Sequence, residues 1–224
     1  MHQIAQYYFN TDILAQYYPS ILQGFWVSVR VALTVIALGI STGLCLAMVR
    51  CLGMRPVNAV IVALVDLFRT LPQLVIIVFV YFGLPYAGVT MSPFAATVIS
   101  LGAVLGAFAT EIFWAAIQTT PRGQWDAAKA LGLGFTGTMF LIILPQAIFL
   151  AVPLLANRAI SITKGTALGT AVSLPETLGQ AQSAMAIAAN PSPLTLAAAL
   201  YLLFFIPLVV GSRWLESRKQ WAGY

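Results

Sequence analysis

The sequence predicts an all-α integral membrane protein with five transmembrane helices, its N-terminus outside and its C-terminus in the cytoplasm. Three observations predict this class. Of the 224 residues, 60% are hydrophobic and only 8% are charged, against about 25% charged in soluble domains. Long stretches carry no charge at all: between Arg30 and Arg50, Arg69 and Glu111, Lys129 and Arg158, and Glu176 and Arg213. Seven of the eleven lysines and arginines fall into alternate loops or the C-terminal tail. A bilayer-spanning helix needs about 20 apolar residues, and each stretch supplies one or nearly two. A transmembrane β-barrel would instead show alternating segments of about ten residues.

The first span is expected over about 25–49, followed by Arg50 and Arg55. The second, over about 57–81, stops at the turn signal Gly83-Leu84-Pro85. The third covers about 94–117 and the fourth about 139–160. A segment containing Gly, Pro and Gln then leads to the fifth, over about 194–210. Pro72, Pro145, Pro153 and Pro207 fall within spans, where each frees a carbonyl that neighbouring helices or water must satisfy. No internal repeat, low-complexity tract or second domain is evident, so residues 1–224 are read as one transmembrane domain.

Orientation follows from the basic residues. Arg50, Arg55, Arg122, Lys129, Arg213, Arg218 and Lys219 all lie in the first loop, the third loop or the C-terminal tail. Residues 1–24, 84–93 and 165–193 contain no Lys or Arg, so these segments are placed outside. Trp26 and Trp214 suit the two interfacial belts. The net charge of +5 is thereby assigned to cytoplasmic flanks rather than to nucleic-acid binding. The first twenty residues lack the basic start of a cleaved signal peptide. Cys45, Cys51 and His2 form no disulfide framework or metal site.

The loop over 120–138 is the most informative stretch. Thr120 is expected to cap a helix beginning at Pro121, where a missing N–H costs nothing. Gly132 and Gly134 are expected to end it in left-handed conformations. A second short helical piece then enters the fourth span through Ile142-Ile143-Leu144-Pro145. Small Ala127 and Ala128 would let a partner approach closely.

Read together, Asp126-Ala127-Ala128, Gly132 after three residues, then Ile142-x-Leu144-Pro145 after nine more, resemble the EAA loop of ATP-binding-cassette (ABC) importer permeases. Asp126 replaces the usual glutamate. Phe68-Arg69-Thr70-Leu71-Pro72-Gln73-Leu74, Tyr81-Phe82-Gly83-Leu84-Pro85, Ser92-Pro93-Phe94 and Pro121-Arg122-Gly-Gln-Trp are similar to the polar amino acid branch. That branch includes permeases for histidine, glutamine, arginine and glutamate. Lys164-Gly165-Thr166-Ala167-Leu168 resembles a segment where many relatives have Lys-Asp-Thr-Ser-Leu, so Gly165 and Ala167 depart from it. The similarity covers about residues 20–218.

The resemblance implies a type I ABC importer (MetI-like) permease fold in a bacterial inner membrane. It implies a dimer with a second copy or a paralogous permease, two ABC ATPase subunits and a periplasmic or extracellular solute-binding protein. The chain has no Gly-x4-Gly-Lys-Ser/Thr phosphate loop. It is therefore expected to be non-catalytic and to bind no cofactor itself, ATP and Mg being held by the partner. Coupling is assigned to Asp126, Ala127, Ala128, Gly132, Leu144 and Pro145, with alternating access as the mechanism.

Charges inside spans are costly and point to function. Asp66 and Arg69 share a helical face, and Glu111 is expected at comparable depth, so Arg69 could pair with either acid. Arg30, Arg158 and Lys164 fall toward outer ends, where they could receive an α-carboxylate or snorkel to the interface. Arg69, Glu111, Arg158, Lys164 and Thr166 form the candidate substrate pathway. The absence of a carboxylate at Gly165 disfavours arginine-like substrates. The rival reading is a secondary transporter or channel using Asp66, Arg69 and Glu111 as a relay. The loop spacing and an odd helix count without an inverted repeat argue against it.

Overall fold

The computed structural model describes residues 6–220, with the backbone alone at Leu215, Arg218, Lys219 and Gln220. His2 lies outside the described residues, as do the side chains of Arg218 and Lys219. The regular structure among the described residues is helical, with no strand. Four helices are long and apolar enough to cross a membrane, and a fifth span results if one broken pair is counted as a unit.

Helix α1, Thr11–Arg50, has 40 residues. At about 1.5 Å per residue it is roughly twice the thickness of a hydrocarbon core, so it begins well before the expected span at 25. Asn10 caps it, accepting from the amides of Asp12 at 3.1 Å and Ile13 at 3.2 Å. The second span is broken. Helix α2, Arg55–Thr70, stops before Leu71-Pro72, and α3, Gln73–Val78, starts after it. Pro72 has no N–H to continue the ladder and disfavours helical geometry at Leu71, so the span expected over 57–81, with Pro72 inside it, is a broken pair bent by 107°.

Helix α3 runs on through a wide π-turn, Phe79–Gly83, and a 3-10 turn, Leu84–Ala87. Helix α4, Pro93–Gln118, agrees closely with the expected third span. The loop helix α5 is Arg122–Ala130, followed by the single turn α6, Phe135–Thr138. A second π-turn, Met139–Ile143, leads into α7, Leu144–Thr163. Both π-turns end two residues before a proline, Pro85 or Pro145, whose missing N–H leaves the carbonyl four residues back without its α-helical donor. The 3-10 segment Lys164–Val172, α8 (Thr177–Ala188) and α9 (Ser192–Gln220) complete the order. Pro153 and Pro207 lie inside helices that continue through them.

These elements gather into two compact units, each drawn from several chain segments. One comprises Met1–Ala37, Leu71–Gly102 and Ile160–Gly211. In it Ile21 of α1, Ala181 of α8, and Ala197 and Leu200 of α9 form a buried cluster. Ser192, at the start of α9, accepts from the Asn10 amide at 3.0 Å and donates to the Tyr7 carbonyl at 3.2 Å.

The other unit comprises Leu38–Thr70, Ala103–Ala159 and Ser212–Tyr224. Its core joins Ala47 of α1, Ala109, Phe113 and Ile117 of α4, and Met139, Ile143, Ala147 and Leu155 around the start of α7. Gly39 and Gly43 let α1 approach α4 closely. A Cβ at Gly39 would meet Leu105 at 2.7 Å, and one at Gly43 would overlap Ala109. Small residues four apart bring membrane helices into contact in this way.

Candidate functional site

The loop helix is held by one face and offers the other. Ala128 is fully buried, and Trp125 packs onto the core around α7 while stacking on Phe135 with ring centres 6.1 Å apart. Leu144 is also in that core. Asp126, Ala127, Gly132 and Pro145 are exposed. Leu131, which the sequence did not single out, is 78% exposed at the end of the helix. A leucine so bare beside two small residues is a surface suited to a partner.

The capping of α5 differs from expectation at two positions. Pro121, not Thr120, occupies the N-cap, and no side chain caps the helix. The Thr120 hydroxyl instead reaches back to the Ala116 carbonyl at 3.4 Å. Gly132 is left-handed, with φ +78°, as its position at the helix end requires. Gly134 is extended, φ −72° and ψ 172°, because it serves as N-cap of α6. A Cβ added at Gly132 would meet no atom within 4 Å, so only its backbone conformation restricts that position within the chain.

The intramembrane charges are distributed differently from the sequence expectation. Glu111 pairs with Arg50 at 2.5 Å, with the two side chains 31% and 10% exposed. Arg50 also lies 4.5 Å from the centre of the Trp114 ring. Arg69 therefore does not take Glu111; it pairs with Asp66 at 3.9 Å, one helical turn away. The sequence reading treated Arg50 as a loop-flanking charge, whereas α1 extends to Arg50 itself and carries its guanidinium onto α4. A relay through Asp66, Arg69 and Glu111 is interrupted, since the two acids are held by different arginines.

Arg69 and Arg158 converge on one aromatic ring. Their guanidinium carbons are 5.2 Å and 4.1 Å from the centre of Phe108. Among the described residues no carboxylate lies within ion-pair distance of Arg158. Two cations beside one half-buried ring form a locus able to accept an anionic group. In the other unit, Lys164 Nζ lies 5.8 Å from the centre of Phe205, likewise without a carboxylate. Thr166 is buried beside it in the chain, in the 3-10 segment. Arg30 donates to the Trp26 carbonyl one turn back, at 3.3 Å.

Glu176 was missed by the sequence reading. It is fully buried and caps α8, accepting from the amides of Leu178 at 2.9 Å and Gly179 at 2.6 Å. It also accepts from the hydroxyls of Thr170 at 2.6 Å, Tyr201 at 2.8 Å and Ser28 at 3.4 Å. Its carboxylate thus fastens α1, the 3-10 segment, α8 and α9 to one another. The available signal was an acid directly after Pro175 at a helix start, favoured by the helix dipole.

No group of three or more His, Cys, Asp or Glu side chains able to hold a metal ion occurs among the described residues. Both cysteines are free thiols.

Comparison with known proteins places this arrangement. Residues 35–221 match the family model described as binding-protein-dependent transport system inner membrane component. The probable glutamine ABC transporter permease protein GlnP of Bacillus subtilis (strain 168) is 34% identical over 200 residues, covering 88% of this chain and 92% of GlnP. A crystal structure of an amino acid ABC transporter with histidines superposes with a TM-score of 0.82 at 26% identity, over 92% of this chain and 96% of that one. The inward-facing MetNI methionine ABC transporter gives 0.70 at 18% identity, over 88% and 95%, a likeness of fold. The chain has the MetI-like permease fold of type I ABC importers and belongs to the family of binding-protein-dependent transport system inner membrane components.

Proposed function

We propose that this chain is the membrane-spanning permease subunit of a bacterial importer that carries a polar amino acid inward by alternating access. Energy enters from a separate ATPase through the loop over 120–138. The observation that carries this reading is the two-sided character of α5. Trp125 packs against the core that includes the start of α7 and Ala128 is fully buried, while Asp126, Ala127, Leu131 and Gly132 are exposed. A push on the outer face is transmitted to α7 because the inner face is close-packed and cannot yield. Such rigid-body rearrangement biased by nucleotide is one of the standard switching modes.

The amino acid reading is supported by the glutamine relative and the amino acid transporter structure. The cation pair at Phe108 suits an α-carboxylate in transit. The chain acts as a non-catalytic subunit, ATP and Mg being bound by two ATPase partners. A second copy or a paralogous permease and an external solute-binding protein complete the assembly in the inner membrane. Affinity purification of the tagged chain in mild detergent tests this. An ABC ATPase subunit is expected to accompany it at equal stoichiometry; a chain purified without one, yet active in uptake after reconstitution, would exclude ATP coupling.

A further inference from the structure

We propose that the cytoplasmic end of this chain binds an anionic phospholipid of the inner leaflet, with an acyl chain in an apolar groove and the headgroup on cations that flank it. The groove has a volume of about 260 Å³ and lies within one compact unit. The end of α1 and the turn after it form one wall through Met48, Val49 and Leu52. The turn α6 and the π-turn that follows form the other through Phe135, Met139 and Phe140.

The lining selects the class of occupant. Thr136 supplies its one hydroxyl; the remaining side chains are aliphatic, aromatic or thioether. A nucleotide, sugar or amino acid needs several convergent polar groups, and this lining does not offer them. Met48 and Met139 suit an irregular, flexible chain. Leu52, Phe135 and Phe140 are 57%, 49% and 55% exposed, so the groove is open to an occupant from outside the chain.

Position selects the bilayer as the source. Leu46, Val49 and Leu52 recur every three residues and so share one face at the end of α1. Leu46 is itself exposed within the first apolar span, and on the other wall Leu141, next to Phe140, is 70% exposed. The groove therefore continues the exposed apolar surface of the spans to the level at which α1 ends at Arg50. It also adjoins the loop helix, because the Phe135 ring in its wall stacks on Trp125.

Charge selects the headgroup. Arg55 follows Leu52 across the left-handed turn at Gly53, φ +72°. Arg122 and Lys129 lie three residues before and four after Trp125, on the same face of α5. All three cations are exposed, and no described carboxylate lies within ion-pair distance of any of them. Arg50, by contrast, is engaged by Glu111. Asp126 is the one acid on α5, so the flanks of the groove keep a net positive charge. Cytoplasmic cations at the membrane surface attract anionic headgroups.

The test places the full chain, purified with the subunits that accompany it, in nanodiscs of equal parts phosphatidylcholine and phosphatidylglycerol. A trace of one lipid or the other carries a photoactivatable acyl chain, and labelled peptides are mapped by mass spectrometry. The phosphatidylglycerol probe should label residues 48–52 and 135–140 in preference to the phosphatidylcholine probe. Arg55→Gln together with Lys129→Gln should lower that labelling about fivefold or more, with labelling along α9 unchanged. Thr136→Phe, at an exposed position, should fill the groove and lower labelling there by both probes. Equal labelling by the two probes in the unaltered chain would reduce the groove to ordinary bilayer contact and overturn the proposal. So would phosphatidylglycerol labelling untouched by the paired charge change or by Thr136→Phe, or a groove that takes neither probe because a neighbouring subunit covers it.

Discussion

Arg50 donates to Glu111 at 2.5 Å and lies against the Trp114 ring, joining the last residue of α1 to the C-terminal third of α4. Removing one partner leaves a poorly solvated charge, which costs about 3 kcal/mol when burial is nearly complete. Glu111→Ala and Arg50→Ala should each lower the melting temperature of the protein in detergent. The exchange Arg50→Glu with Glu111→Arg should recover part of the loss, and only part, because the ring contact with Trp114 is not restored. Equal damage in the double exchange and in the sum of the single changes would show that the pair contributes nothing.

Glu176 should be the most sensitive position of its unit. Glu176→Ala strands two amides and up to three hydroxyls, with a loss of roughly 2–4 kcal/mol. Tyr201→Phe removes one of those donors and should cost about 1 kcal/mol. Thermal unfolding of the purified protein measures both. Similar stability for the two variants would show that the carboxylate is not the joint.

The close crossing of α1 and α4 gives a steric prediction. Gly43→Val should destabilise the protein by about 1–3 kcal/mol through overpacking against Ala109, whereas Gly211→Ala, with nothing near its Cβ position, should cost little. Protein yield and melting temperature in detergent report the contrast. A harmless Gly43→Val would mean that the helices do not approach there.

The span count and the loop helix were legible because they depend on local properties. Charge-free runs set the spans, and Gly132 announced the end of α5 by the conformation it alone adopts cheaply. Partners across the fold were not legible. Depth along a helix suggested Arg69 for Glu111, but pairing depends on which helices adjoin and on where α1 ends, neither of which composition fixes. Pro72 was visible as a proline inside the second span; whether it kinks or breaks the helix depends on packing at either side. Glu176 stayed hidden because its donors come from residues as distant as Ser28 and Tyr201.

Orientation rests on the one-sided Lys and Arg distribution. A reporter fused after the C-terminal residue should lie in the cytoplasm, and one inserted at Gly88, a left-handed turn position with open space around it, should lie outside. Both reporters on one side of the membrane would contradict the five-span topology.

The loop over 120–138 is proposed to carry energy from an ATPase into this chain, and Gly132→Asp probes that coupling without touching the spans. Left-handed geometry costs a side chain there about 1–2 kcal/mol, and the added carboxylate projects outward beside exposed Leu131 rather than into the chain. The spans should insert and assemble as before. With the variant and its ATPase partners reconstituted in liposomes, uptake, ATP hydrolysis and co-purification are measured on the same preparation. Uptake should be lost, with a weakened ATPase association or with hydrolysis that no longer drives transport. Normal uptake with undiminished ATPase association would contradict the coupling.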